Sequence, residues 1–206
     1  MYNESFWDHT LEIMVGGGVL MIPLALLAAL IYFAIISIIS ELSQRQFHRV
    51  DPDVWGHWVD KPVEAKGELG EVIQFLEINA GSIETLRGAM EVVRRDYLPG
   101  INSRLRYAMI LVTAAPLMGL LGTVMGMLKT FDGISLSAGA STADLVAGGI
   151  AEALITTETG LVIAIPGYIL IAHAKGMRDN LDLALVRIEN AFIRRITRQQ
   201  KLGVAA

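Results

Sequence analysis

The sequence predicts an all-α, polytopic membrane protein with three transmembrane helices, the second and third extending into a cytoplasmic helical bundle. Its 206 residues are 53% hydrophobic and only 18% charged, with a mean hydropathy of +0.49, on the membrane side of ordinary globular composition. Residues 16–39 and 108–128 carry no charge. As helices they measure about 36 Å and about 32 Å, enough to cross a hydrocarbon core of about 30 Å. The basic residues are also distributed one-sidedly: none in 1–15, nine in 40–107, Lys129 alone, none in 130–143 and seven from 174 onward.

That distribution orients the chain. Cytoplasmic segments collect Lys and Arg, so residues 1–15, with Glu4, Asp8 and Glu12 but no basic residue, form a periplasmic amino terminus. The terminus lacks the basic n-region of a cleavable signal and is followed by too long an apolar run. The first transmembrane helix is therefore expected to stay in the protein as residues 16–39, with Pro23 near its start, where a kink is tolerable.

Residues 40–104 are too charged for lipid and form a cytoplasmic loop. Pro52 and Pro62, with Trp55 and Trp58 between them, mark irregular structure. Beyond it Leu69, Val72, Ile73, Leu76 and Ala80 recur at helical spacing, and Leu86, Met90 and Val93 continue after Gly81. This pattern predicts two amphipathic helices. Leu98-Pro99-Gly100 is expected to break the chain again before the second transmembrane helix, residues 105–129. A short periplasmic loop, 130–143, leads to the third transmembrane helix, 144–173. In the tail, 174–206, Met177, Leu181, Leu185, Ile188, Phe192 and Ile196 step by three or four, so the third helix is expected to run on into the cytoplasm, with Gly176 as a site of bending.

The third span is unusual because it contains Glu152 and Glu158. Twelve Leu, Ile and Val residues between 145 and 171 contribute about −5 kcal/mol toward insertion, and two central charges at roughly +2.5 to +3.5 kcal/mol each cancel it. As an isolated lipid-facing helix it is marginal, and it needs neighbouring helices or water on its polar side. Glu152, Thr156 and Thr159 fall on one stripe, and Thr157 lies between that stripe and Glu158, which is about 240° around the helix from Glu152. Intramembrane carboxylates mark ion or proton pathways; the competing reading is a hydrogen-bonded carboxyl that only joins helices.

Small residues recur on both spans. Gly119, Gly122 and Gly126 step by three and four in the second, with Thr123 one turn after Gly119; Gly149 with Ala153 and Gly160 with Ala164 do so in the third. Such spacing lets helix backbones approach where no hydrophobic effect drives association. Pro116 and Pro166 are assigned to helix geometry and packing, and Thr123 has two readings, packing or lining a polar path. Other chemistries find no support in the residues. The chain has no Cys, its four His lack metal-ligand spacing, and the motifs of intramembrane proteases and phosphate loops are missing. The net charge of −4 argues against nucleic acid. No catalysis, cofactor or metal is expected.

The runs APLMGLLGTVMGMLKTFDGIS and GGIAEALITTETGLVIAIPG resemble the two signature segments of the MotA/TolQ/ExbB proton-channel family, most closely its ExbB branch. The three-span plan resembles ExbB and TolQ; MotA-like stators have four spans. The resemblance is strong over about residues 85–175. It implies a homopentamer in the bacterial inner membrane around an ExbD-like single-span partner, with ion flow driving rotation that energises a TonB-like protein. Protons are the expected ion and sodium the alternative. It implies too that Thr123 and Thr157 match the family's lumen-facing hydroxyls, that Glu152 matches its third-span glutamate, and that the titrating Asp lies on the partner. Glu158 has no counterpart in the pattern. With Thr156 these residues make up the expected ion pathway. A TolQ-type or specialised stator is the neighbouring alternative, and a non-conducting membrane scaffold is the alternative of another class.

Overall fold

The computed structural model describes residues 16–44, 57–59, 61–65, 67–136 and 142–204. The amino terminus, Pro52, Trp55 and the centre of the 130–143 loop lie outside the described residues. Among the described residues the main helices follow in the order α1 Met21–Gln44, α2 Gly67–Ile78, α3 Ile83–Leu136 and α4 Thr142–Val204, with a 3-10 turn at Pro62–Glu64 before α2. Among the described residues there is no strand. Three of the helices, α1, α3 and α4, are long and apolar enough to cross a membrane. α3 and α4 have 54 and 63 residues, about 80 Å and about 95 Å of helix, so each far exceeds a bilayer core.

Helix α1 begins at Met21, five residues inside the apolar run. Gly18 adopts φ +65°, a left-handed conformation that Gly takes without strain and an α-helix cannot contain. The chain therefore turns at 17–20, and the Met21 N–H donates to the Gly18 carbonyl as the helix begins. At its other end α1 continues to Gln44, taking in Glu41, whose carboxylate receives Arg104 at 2.5 Å.

The expected break at Leu98-Pro99-Gly100 does not occur. α3 runs through it because buried Val93 and Ile101 hold the helix on either side. Pro99 removes the donor to the Arg95 carbonyl, but Arg95 and Pro99 are exposed and water can replace it. The 130–143 segment is likewise more helical than expected, with α3 extending to Leu136 and α4 beginning at Thr142. α4 continues through Gly176 without interruption.

The chain divides into two compact units. One takes the chain up to Ile35 with Arg106–Ile171; the other takes Ile36–Leu105 with the chain from Ala172 on. In the first, α1 supplies large core residues, Leu24, Ile31 and Ile35, while α3 and α4 supply small ones, among them Ala108, Ala115, Ala153 and Ala164. Ile22, Leu26, Phe33, Leu117, Leu121, Val162 and Ile169 face outward. In water such a surface would aggregate; in hydrocarbon it is the solvated side. Pro166 leaves α4 one donor short, and in that turn the Tyr32 hydroxyl donates to the Ile163 carbonyl at 3.2 Å.

The second unit has a core of large apolar side chains. Leu69, Val72, Ile73 and Leu76 of α2 are buried, as are Leu86, Met90 and Val93 of α3 and Leu181, Leu185, Ile188, Phe192 and Ile196 of α4. Met177 and Ala80 are only half-buried. Ser82 and Thr85 cap the start of α3 reciprocally: the Thr85 N–H donates to Ser82 Oγ at 3.1 Å and the Ser82 N–H to Thr85 Oγ1 at 3.0 Å. Arg195 ties α4 to α2 by a two-pronged bond to Glu77 at 2.5 and 2.9 Å, and donates to the Val59 carbonyl at 2.7 Å.

Candidate functional site

The site is built on the seam where α3 meets α4. Their small residues meet in reverse order: Ala115 with Gly160, Gly119 with Thr156 and Thr157, Gly126 with Gly149 and Ala153. The helices are therefore antiparallel, and the backbones come close enough that side chains are excluded. A Cβ on Gly119 would lie 2.9 Å from the Thr156 carbonyl oxygen, one on Gly126 2.8 Å from that of Gly149, and one on Gly160 2.8 Å from that of Ala115. Gly122 receives the Thr156 side chain and Gly149 receives Thr130 Oγ1, each in the space that a Cβ would fill.

The threonines have different surroundings. Thr157 is half-buried, and its hydroxyl donates across the seam to the Gly119 carbonyl at 3.1 Å. Thr123, one turn further along α3, is half-buried and donates within its own helix to the Leu120 carbonyl at 2.7 Å. Thr156 is enclosed between the helices at 1% exposure, with its hydroxyl on the Ala153 carbonyl at 2.9 Å. In this chain Thr156 fills the seam and does not border an open face.

The two glutamates are separated by the fold. Glu152 lies beside the seam and forms an ion pair with Lys129, its Oε2 2.7 Å from the ammonium. Above the carboxylate passes the turn before α1, and a Cβ on Gly18 would collide with Glu152 Oε1. Three elements thus meet on this one side chain. Glu158 is exposed, about 200° around α4 from Thr156, on a strip with Leu154, Leu161 and Val162. Beyond its chain neighbour Thr157, it shares no hydrogen bond or ion pair with the other candidates among the described residues.

Lys129 and Gly18 are absent from the residues singled out in the sequence. Lys129 carried a signal, being the single basic residue between Arg106 and Lys175. Its partner follows only from the antiparallel register. The three glycines at 16–18 read as the start of an apolar span, and only the positive φ at Gly18 shows that the chain turns there.

Residues 60–185 match the model of the MotA/TolQ/ExbB proton channel family. The chain is 31% identical over 163 residues to a Synechocystis protein named biopolymer transport protein ExbB-like 3, covering 73% of this chain and 77% of that one. It is 42% identical over 91 residues to the biopolymer transport protein exbB1 of Vibrio cholerae, covering 44% of this chain and 39% of the relative. To the Tol-Pal system protein TolQ of Haemophilus influenzae it is 37% identical over 78 residues, covering 38% and 34%. The chain thus spans less than half the length of several curated relatives that it matches.

Proposed function

Because the chain belongs to the MotA/TolQ/ExbB proton channel family, we propose that it is the multi-helix subunit of an ion-driven motor complex in the bacterial inner membrane. Its amino terminus lies in the periplasm and its carboxyl terminus in the cytoplasm. It assembles as a homopentamer around an ExbD-like single-span partner, and the complex uses the proton-motive force to energise a TonB-like protein or other envelope transport. Protons are the ion, with sodium the alternative.

One observation carries the reading: a carboxylate and two half-buried hydroxyls, Glu152, Thr123 and Thr157, border a helix seam that is otherwise built from small residues. Packing alone requires no carboxylate there, because the glycines and alanines already bring the backbones together. Lipid-facing polar groups would be costly, so a polar edge in the membrane is stable where assembly supplies water or polar partners. The TolQ match over part of the chain favours a second reading within the family, a stator serving envelope maintenance.

The test substitutes Thr123, Thr157, Glu152 and Glu158 singly and measures partner-dependent ion flux in reconstituted vesicles. Thr157 and Glu152 are expected to be the most sensitive and Glu158 intermediate. If all four variants assemble and conduct like the parent, the chain is a scaffold and the pathway reading is wrong.

A further inference from the structure

We propose that Lys129 is a tethered cation that occupies the Glu152 carboxylate in place of the transported ion, and so acts as a displaceable gate on the pathway; the inference rests on the ion-pathway reading above. The pair is asymmetric. Glu152 is 20% exposed while Lys129 is 70% exposed, at an N–O distance of 2.7 Å. The carboxylate is held between α4 and the Gly18 turn, whereas the ammonium sits on a flexible four-carbon stem that can swing off. With its ammonium exposed, the pair is weaker than one enclosed on both sides, which suits a gate and not a lock.

The register that sets the pair is rigid. Next to Lys129, Thr130 is 3% exposed, donates to the Gly126 carbonyl at 2.9 Å, and fills the space above Gly149. Gly126 in turn lies against Gly149 and Ala153, the neighbour of Glu152. The backbone therefore presents Lys129 to Glu152 in every conformation that keeps the seam closed. Only the side chain has to move for the carboxylate to accept another cation.

Arg and Gln discriminate this role from a structural one. Lys129→Gln leaves the carboxylate without its tethered competitor, so partner-dependent proton flux should rise several-fold. Lys129→Arg offers a planar two-pronged donor that holds a carboxylate more persistently, so flux should fall. A merely structural cation would be kept by Arg and lost with Gln, the opposite order. The double variant Lys129→Gln/Glu152→Gln should conduct like Glu152→Gln alone.

A second measurement needs no partner and no flux. In membranes carrying the full chain, Glu152→Gln should speed modification of Lys129 by an amine-reactive reagent, read by mass spectrometry. Unchanged Lys129 reactivity, or flux in the order Arg above Gln with assembly intact, overturns the gate. A parent complex that conducts nothing while Lys129 reactivity still responds to Glu152→Gln instead removes the ion-pathway reading, and the gate with it, but leaves the pair standing.

Discussion

The Thr157 hydroxyl crosses from α4 to donate to the Gly119 carbonyl of α3 at 3.1 Å. The bond exists because position 119 has no side chain: a Cβ there would stand 3.0 Å from Thr157 Cα. Thr157→Val keeps the shape and removes the donor. Interhelical bonds of this kind in membranes average about 0.6 kcal/mol, because the separated helices find other partners. Assembly should therefore survive Thr157→Val while ion flux drops sharply, and Thr157→Ser should restore flux. Equal flux in the parent and the Val variant would reduce Thr157 to packing.

Gly122 and Thr156 fit tightly on the seam, since a Cβ at 122 would overlap the Thr156 side chain near its root. The Thr156 side chain is β-branched and stiff at χ1, so it yields poorly to an added methyl group. Gly122→Ala should cost about 1–3 kcal/mol as overpacking. Thr156→Ala alone opens a small void. The double variant should recover much of the Gly122→Ala loss, and thermal unfolding of the detergent-solubilised protein supplies the cycle that measures the coupling. Additive losses would show that the two residues do not share one space.

The helices and their apolar faces are legible because they depend on periodicity. Leu185, Ile188 and Phe192 are buried where a three-and-four spacing puts them. Pro99 is misread because a local preference competes with packing, and buried residues on both sides outweigh one missing donor at an exposed turn. The pairing of Lys129 with Glu152 is illegible for a different reason. It is fixed by the register between two helices, and no pattern within either helix encodes that register. Gly18 is hidden because glycine suits an apolar run and a left-handed turn equally well.

Arg195 joins Glu77 and the Val59 carbonyl within the second unit, with three donated bonds from one guanidinium. Its planar fork matches the carboxylate, and an ammonium cannot reproduce that geometry. Arg195→Ala should destabilise this unit by roughly 1.5–3 kcal/mol, the range for bonds to charged groups. Arg195→Lys should recover less than half of the loss. Chemical denaturation followed through Trp58 fluorescence is the measurement, and full recovery by Lys would reduce the contact to simple charge pairing.

Glu64 titrates below its ordinary value, first because of its hydrogen bond with the His57 ring at 2.9 Å and then because of the Lys61 charge. A carboxyl whose value is depressed by folding adds stability that is fully present above its unfolded-state value. That stability fades as the pH falls through the lower, folded-state value. The contact at 57–64 should therefore hold at neutral pH and loosen as the pH falls below the ordinary Glu value. His57→Ala should move the Glu64 titration back up toward the ordinary value, and Lys61→Ala should move it less. Side-chain NMR of selectively labelled Glu reads both shifts, and an unmoved Glu64 in the His57→Ala variant would show that the ring does not hold the carboxylate.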